Sequence, residues 1–259
     1  MSEIVNAKYL IVNADDYGYT PGVSEGIRRA HRDGIVSSTT VMMTMPSAVA
    51  DLGRLREETP SLGVGVHLNV TEGRPFRLSR FFAPDALVSE LASIDAADLR
   101  CEWRRQIEAF LATGTPLTHL DSHHHAAYRH PKALAILFEL AREYRVPVRN
   151  PYPLGQADAD ALAGTLAASG VRHPVHFVDV FDQTLSVPAL LRALAAVSVG
   201  VTEFMFHPGT VDAELRRLRP SRAEARAAEL ATLLHPDARA AVERLGIKLV
   251  SFAVLAARE

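Results

Sequence analysis

Short β-rich runs alternate with helix-period segments along nearly the whole chain, and this alternation constrains the fold more than any other feature. KYLIVNA (8–14) precedes PGVSEGIRRAHRDG (21–34), STTVMMT (38–44) precedes AVADLGRLREET (48–59), and LGVGVHLNV (62–70) precedes a helical pattern near 97–113. LTHLDSH (117–123) leads to 131–146, PVRN (147–150) to 158–170, VHFVDV (175–180) to 187–197 and TEFMFH (202–207) to 222–246, with KLVSFAV (248–254) last. The helical period is explicit in Leu134, Leu137, Phe138 and Ala141, spaced i, i+3, i+4 and i+7. Pro131 can open that helix, and Gly34, Gly114, Gly170 and Gly246 stand near helix ends, where a left-handed position favours glycine. Strands separated by helices predict a parallel sheet with crossover connections. For 259 residues the expectation is one domain over 1–259. Its class is α/β, a distorted (β/α) barrel of roughly seven to eight mostly parallel strands, preferred to an open doubly wound sheet.

Composition narrows the function. A formal charge of -2 gives no reason to expect nucleic acid or an anionic membrane as partner. The single cysteine, Cys101, excludes an internal disulfide framework and a Cys-rich zinc site. No window reaches the ~18 apolar residues of a membrane span, and MSEIVNAKYLIVNADD lacks a basic region followed by a long apolar run. A cytoplasmic enzyme or binding protein is expected. No G-x-G-x-x-G follows the first strand and no P-loop is present, so a dinucleotide or nucleoside triphosphate site has no support. The longest insertion, 71–96, carries Arg74, Arg77, Phe81 and Phe82, which suit either a substrate-facing lid or a plain surface loop. The Ala-rich helices near 158–170 and 222–246 suit a homodimer surface and core packing equally.

In parallel α/β folds, ligand chemistry gathers at the carboxyl ends of strands. The first strand runs out into Asn13, Asp15 and Asp16; the third carries His67; the fourth ends at Asp121, His123, His124 and His125; the fifth at Arg149 and Asn150; the seventh at Glu203 and His207. Each has a plain reading alone: Asp15–Asp16 before Tyr17–Gly18 as a turn, His67 as a core histidine, His123–His125 as a solvated loop, Arg149 as an ion-pair partner, His207 before Pro208 as a turn. Together, carboxylates and imidazoles at one rim mark a site for a divalent metal: Zn²⁺, Mn²⁺, Fe²⁺, Co²⁺ or, less typically, Mg²⁺. One carboxylate with two imidazoles would leave open positions for water and substrate, and an adjacent carboxylate could accept a proton.

IVNADDYG, GVHLNVTEGRP, THLDSHHH and EFMFHPG, in this order and spacing, resemble the YdjC/ChbG family of carbohydrate deacetylases, itself similar to the NodB-like polysaccharide deacetylases. The resemblance implies a distorted (β/α) barrel and an N-acetylated sugar as substrate. The reaction would be hydrolysis of the N-acetyl group of an amino sugar or small chitooligosaccharide-like chain, releasing acetate. One divalent metal ion is implied, Mg²⁺ by the family, with Zn²⁺, Mn²⁺ or Co²⁺ as alternatives. Position by position it makes Asp16, His67 and His123 the metal ligands, Asp15 the general base, and His207 the general acid or an oxyanion-stabilising donor. His124 and His125 would line the sugar pocket or sit behind the ligands, while His119 and His130 would be structural. RNPY at Arg149–Tyr152 resembles a NodB-like block in which the arginine braces the base. Tyr17, Phe76, Tyr128 and Tyr152 are candidates for sugar contact, as they are for ordinary packing. Two other readings stay open: a metal-dependent hydrolase acting on another bond of a sugar derivative, with Glu203 as a second carboxylate, and a non-catalytic sugar-binding barrel.

Overall fold

The computed structural model of the chain describes residues 7–150, 159–179 and 186–256. In chain order it contains β1 (Lys8–Tyr17), α1 (Pro21–Arg32), β2 (Ser38–Val41), α2 (Ala48–Glu58) and β3 (Gly63–Leu68). A 3-10 turn (Pro84–Ala86), α3 (Leu87–Ser93), α4 (Ala96–Leu111), β4 (Leu117–Ser122), a second 3-10 turn (His123–Tyr128) and α5 (Pro131–Glu143) follow. Then come α6 (Ala159–Ser169), β5 (His176–Asp179), α7 (Val187–Ala195), β6 (Gly200–Phe206), α8 (Ala213–Leu218), α9 (Ala223–Leu233), α10 (Pro236–Arg244) and β7 (Ile247–Leu249). No described helix is long and apolar enough to cross a membrane.

The strands form one curled sheet in the order β4-β3-β2-β1-β6-β5, all pairings parallel. β7 also pairs with β1, along Lys8–Leu10, while β2 takes over the same edge from Asn13 onward. β1 is therefore the central strand, and Leu10, Ile11, Val12 and Ala14 are fully buried. A near-continuous apolar run of this kind is what a strand covered on both faces requires.

Three sequence expectations are corrected here. The expected fifth strand, 147–150, is reduced to an isolated bridge between Leu120 and Val148. Leu120 N–H donates to the Pro147 carbonyl, Arg149 N–H to Leu120, and Val148 N–H to Arg172. This short piece stands between β4 and the segment that leads into β5. Pro147 has no N–H to give to a ladder, which limits the pairing of this piece among the described residues. The helix expected over 222–246 is two helices, because Pro236 opens α10 with His235 accepting from the Asp237 N–H. A proline there cannot continue the i→i−4 bonds of α9. The 248–254 strand stops at Leu249 and gives way to a 3-10 turn at Phe252–Leu255.

The 71–96 insertion is less open than its sequence suggests. Its second half holds α3, and its first half is tied to α4 by one buried carboxylate. Glu102 accepts from the backbone N–H groups of Phe76 (3.1 Å), Arg77 (2.6 Å) and Leu78 (3.1 Å). Gln106, one turn later, bonds both backbone groups of Asn69. Of the four residues singled out there, Phe82 is buried and Arg77 pairs with Asp98.

The packing of α1 sets the position of the chain after β6. Gly22 N–H donates to Asp212 Oδ2 at 2.6 Å, and a Cβ on Gly26 would lie 2.6 Å from the Gly209 Cα. Two glycines one turn apart thus let the helix touch the 207–212 backbone. Gly26→Ala is expected to force these segments apart and lower stability by ~1–3 kcal/mol, read as a reduced midpoint in urea unfolding.

Candidate functional site

Adjacent residues of a regular strand point to opposite faces, so a strand ending in two aspartates ordinarily offers only one to a site. β1 avoids this with a bulge. Its register against β2 advances from Ala14 to Tyr17 while β2 advances only from Thr39 to Val41. Within the bulge Asp16 adopts φ +72, a left-handed conformation that aspartate tolerates better than most residues. Both carboxylates are then turned into one buried cluster; each residue is 1% exposed.

Asp16 Oδ1 lies 3.4 Å from His67 Nε2 and 3.1 Å from His123 Nδ1. One ligand atom from each of the three residues fits within a 4.8 Å span. Asp16 Oδ1 is fully buried without a hydrogen bond of acceptable geometry. A buried carboxylate oxygen with two imidazole nitrogens converging on it is an arrangement that suits a metal ligand set. Asp16 Oδ2, the other oxygen, is held by the Arg226 guanidinium. His67 Nδ1 bonds Asp121 Oδ1 at 2.6 Å, which leaves Nε2 free to face the centre. His67 and Asp121 are register partners across β3 and β4, so the strand pairing itself places the carboxylate behind the imidazole.

Asp15 sits beside this set. Arg149 grips it with two bonds, Nη1 to Oδ2 (2.8 Å) and Nη2 to Oδ1 (2.6 Å), and Asn13 Nδ2 adds a third at 2.7 Å. The same guanidinium reaches Asp121 Oδ2 (2.9 Å) and Glu203 Oε1 (2.7 Å). Burial pushes the Asp15 carboxyl up, but Arg149, with smaller contributions from His67 and His207, holds it below the usual carboxylate range. His207 Nε2 lies 4.0 Å from Asp15 Oδ2, and its backbone N–H donates to Glu229 Oε2 at 2.5 Å. Burial lowers the His207 imidazole to about 4 against the pull of Asp16 and Asp15, so in the metal-free chain it is neutral at pH 7.

The charges fit a divalent cation. Asp15, Asp16, Asp121 and Glu203 are buried, and among the described residues their buried arginine partners are Arg149 and Arg226. With Glu203 protonated one negative charge remains, and with all four carboxylates ionised, two. Glu203 registers this excess: burial first, then Asp15 and Asp121, push it up to about 8 in spite of Arg149.

Other expected site residues fall elsewhere. Tyr17 does not face a ligand. Its hydroxyl donates to the Asp51 carbonyl (2.7 Å) and accepts from Arg28 (2.9 Å) in the fully buried layer under α1. The bulge at Asp16 explains the correction, since the strand alternation resumes one residue out of step. Tyr128 is also used internally, donating to the Arg149 carbonyl at 3.0 Å. His124 and His125 both take positive φ (+52 and +53), and the His124 ring lies against that of His123 with centroids 4.0 Å apart. His124 Nδ1 contacts Thr71 Oγ1 at 3.1 Å, and His125 meets the edge of Phe177. His119 stacks on Phe252, with ring centroids 3.7 Å apart, and His130 caps α5, as their structural reading implies. Phe76 is exposed. Tyr152 lies outside the described residues. Sequence reasoning passed over Arg226, Glu229 and Glu72. Asp121 was noted at the rim but given no role, although its place opposite His67 in adjacent strands was the available signal. Arg226 and Glu229 come from α9, whose polar residues carry no local mark of reaching a strand end.

With this geometry in hand, known proteins are informative. The family model described as "YdjC-like protein" matches residues 9–244. A carbohydrate deacetylase of Brevibacillus brevis is 37% identical over 259 residues, covering 95% of this chain and 99% of its own. A carbohydrate deacetylase of Vibrio cholerae is 36% identical over 230 residues, covering 80% and 81%. A protein of Enterococcus faecalis V583 named for cellobiose-phosphate cleavage superposes with TM-score 0.89 at 29% identity, over 97% of this chain and all of the other. A CE4 family pseudoenzyme of Bacillus anthracis shares the fold, with TM-score 0.54 at 8% identity over 97% and 66% of the two chains.

Replacing either imidazole with alanine should abolish stoichiometric metal. His67→Ala and His123→Ala are each expected to give less than one bound ion per chain by elemental analysis under conditions that saturate the unaltered protein. A variant that keeps a full equivalent removes that histidine from the ligand set.

Proposed function

The chain belongs to the YdjC-like protein family, and on that premise we propose that it is a metal-dependent carbohydrate deacetylase. The reaction is hydrolysis of the N-acetyl amide of an amino sugar or small chitooligosaccharide-like chain, giving acetate and a free amine. The observation that carries this reading is the convergence of His67 Nε2 and His123 Nδ1 on the unbonded, buried Asp16 Oδ1 beside a second carboxylate. The carbohydrate deacetylase relatives, covering 95% and 80% of this chain, support deacetylation of a sugar; the N-acetyl amide is the family-based part of the reading.

Asp16, His67 and His123 would hold the ion, Mg²⁺ by family resemblance and Zn²⁺, Mn²⁺ or Co²⁺ by the donor set. When bound, the metal supplies Lewis acidity toward the acetyl carbonyl and lowers the pKa of water from 15.7 toward ~7. That help is needed here, because Arg149 keeps Asp15 a weak base. Asp15 is oriented by its two-point pairing with Arg149, and its Oδ2 faces both His67 Nε2, at 3.8 Å, and His207 Nε2. Its role is to accept the proton of the attacking water. His207 starts neutral, so it cannot serve as a standing acid. It can take the proton in the course of the reaction and return it to the leaving amine, and Glu229 fixes its backbone for that purpose. A neutral His207 would also suit an N–H donor toward the developing oxyanion.

The test is acetate release from a panel of N-acetylated mono- and disaccharides with Mg²⁺, Mn²⁺, Co²⁺ or Zn²⁺. Saturable binding with no acetate would turn the reading into a non-catalytic sugar-binding barrel. Asp15→Asn is expected to retain metal and lower turnover by at least ~10²-fold, and His207→Ala to lower it by ~10²–10⁴-fold. Unchanged turnover in either variant ends that assignment.

A further inference from the structure

The two histidines of the ligand set present different nitrogens, and only His67 has been given a reason for its choice. For an imidazole to offer its Nδ1 lone pair, its proton must sit on Nε2, and inside a protein that proton needs an acceptor. His123 directs Nδ1 at Asp16 and Nε2 at Glu72 Oε1, 3.3 Å away. Glu72 comes from the segment after β3 and is pinned locally. Asn69 Oδ1 accepts from the Glu72 N–H at 3.2 Å, and Asn69 Nδ2 donates to the Glu72 carbonyl at 2.5 Å. Its carboxylate is gripped by the Arg219 guanidinium from beyond α8. Arg219 Nε in turn donates to the Tyr19 hydroxyl at 3.1 Å. The Tyr19 ring underlies the Arg226 guanidinium at 5.5 Å, and Arg226 holds Asp16. The contacts form a ring: Asp16, His123, Glu72, Arg219, Tyr19, Arg226 and back to Asp16.

We propose that Glu72 is a positioning residue that sets the tautomer and orientation of the ligand His123, and that Arg219, braced by Tyr19, holds Glu72 for this task. The inference rests on the metal-site reading above. Glu72, His123 and His124 also lie close enough to share a cation themselves. A neutral imidazole has one lone-pair nitrogen, so a His123 that offers Nδ1 beside Asp16 carries its proton on Nε2 and has no second lone pair for an ion on the Glu72 side. Glu72 is therefore assigned to the His123 proton and not to a second ion. The arrangement repeats, from a different segment, what Asp121 does for His67.

The experiment titrates the full metal-free chain with Zn²⁺ by calorimetry and reads histidine tautomers from long-range ¹H–¹⁵N spectra. One ion per chain is expected, with His123 protonated on Nε2. Glu72→Ala should weaken Zn²⁺ about 10–100-fold and lose the Nε2–H signature of His123, while the metal-free melting temperature stays near that of the unaltered chain. Glu72→Gln, which keeps an acceptor oxygen, should restore the tautomer and most of the affinity. Should Glu72→Ala fail to fold, Arg219→Met decides: weakening of about ten-fold supports the proposal, and unchanged affinity overturns it. Unchanged affinity and tautomer in Glu72→Ala, or two ions per unaltered chain, would also overturn it. No binding by the unaltered chain would instead sink the metal-site reading itself.

Discussion

Everything at this site follows from one backbone residue turned the wrong way. The positive φ of Asp16 breaks the alternation of the central strand, and through that break two consecutive carboxylates enter one cluster. Without it one aspartate would face the layer under α1, where Tyr17 now lies. A left-handed non-glycine residue costs of order 1 kcal/mol or more and persists only where its surroundings over-determine it. Here the surroundings are dense: β2 and β6 on either side of β1, Arg226 on Asp16, and Arg149 with Asn13 on Asp15.

The second constraint is charge. An isolated ionised carboxylate in a buried setting is strongly disfavoured, and partners or protons must compensate it. Arg149 serves three carboxylates at once, which ties the candidate base to the residue behind His67. Such sharing makes roles inseparable: whatever changes the hold on Asp121 also changes Asp15. The raised Glu203 and the depressed Asp15 are two expressions of the same crowding, divided by which oxygens the guanidinium faces most directly.

The alternation of β-runs and helices was enough to place nearly every element, because period and proline or glycine boundaries are local properties. The failures are also local in origin. PVRN reads as a strand from Val148, but Pro147 has no N–H to give to a ladder. The 222–246 pattern keeps helical period straight through Pro236, and only the missing N–H divides it. At the site, the clustered motifs ADD, GVH and HHH brought Asp15, Asp16, His67 and His123 to notice, and the structure places them together. Tyr17 was misjudged because a bulge is invisible in composition. Glu72 and Arg226 were missed because their partners lie 51 and 210 residues away, and nothing within either segment announces such distant pairing.

The fragment at 147–150 has a consequence of its own. The paired strands are laced by repeated backbone bonds, whereas among the described residues this fragment has a bridge and a few contacts at its margins. The fragment nevertheless carries Arg149, a fully buried cation paired with three carboxylates. In this part of the molecule the usual dependence is reversed: the side chain anchors the backbone. Salt links from Arg149 to Asp15 on β1, Asp121 on β4 and Glu203 on β6 tie the fragment to the sheet, so the charge of the proposed base bears directly on how this piece of wall is held.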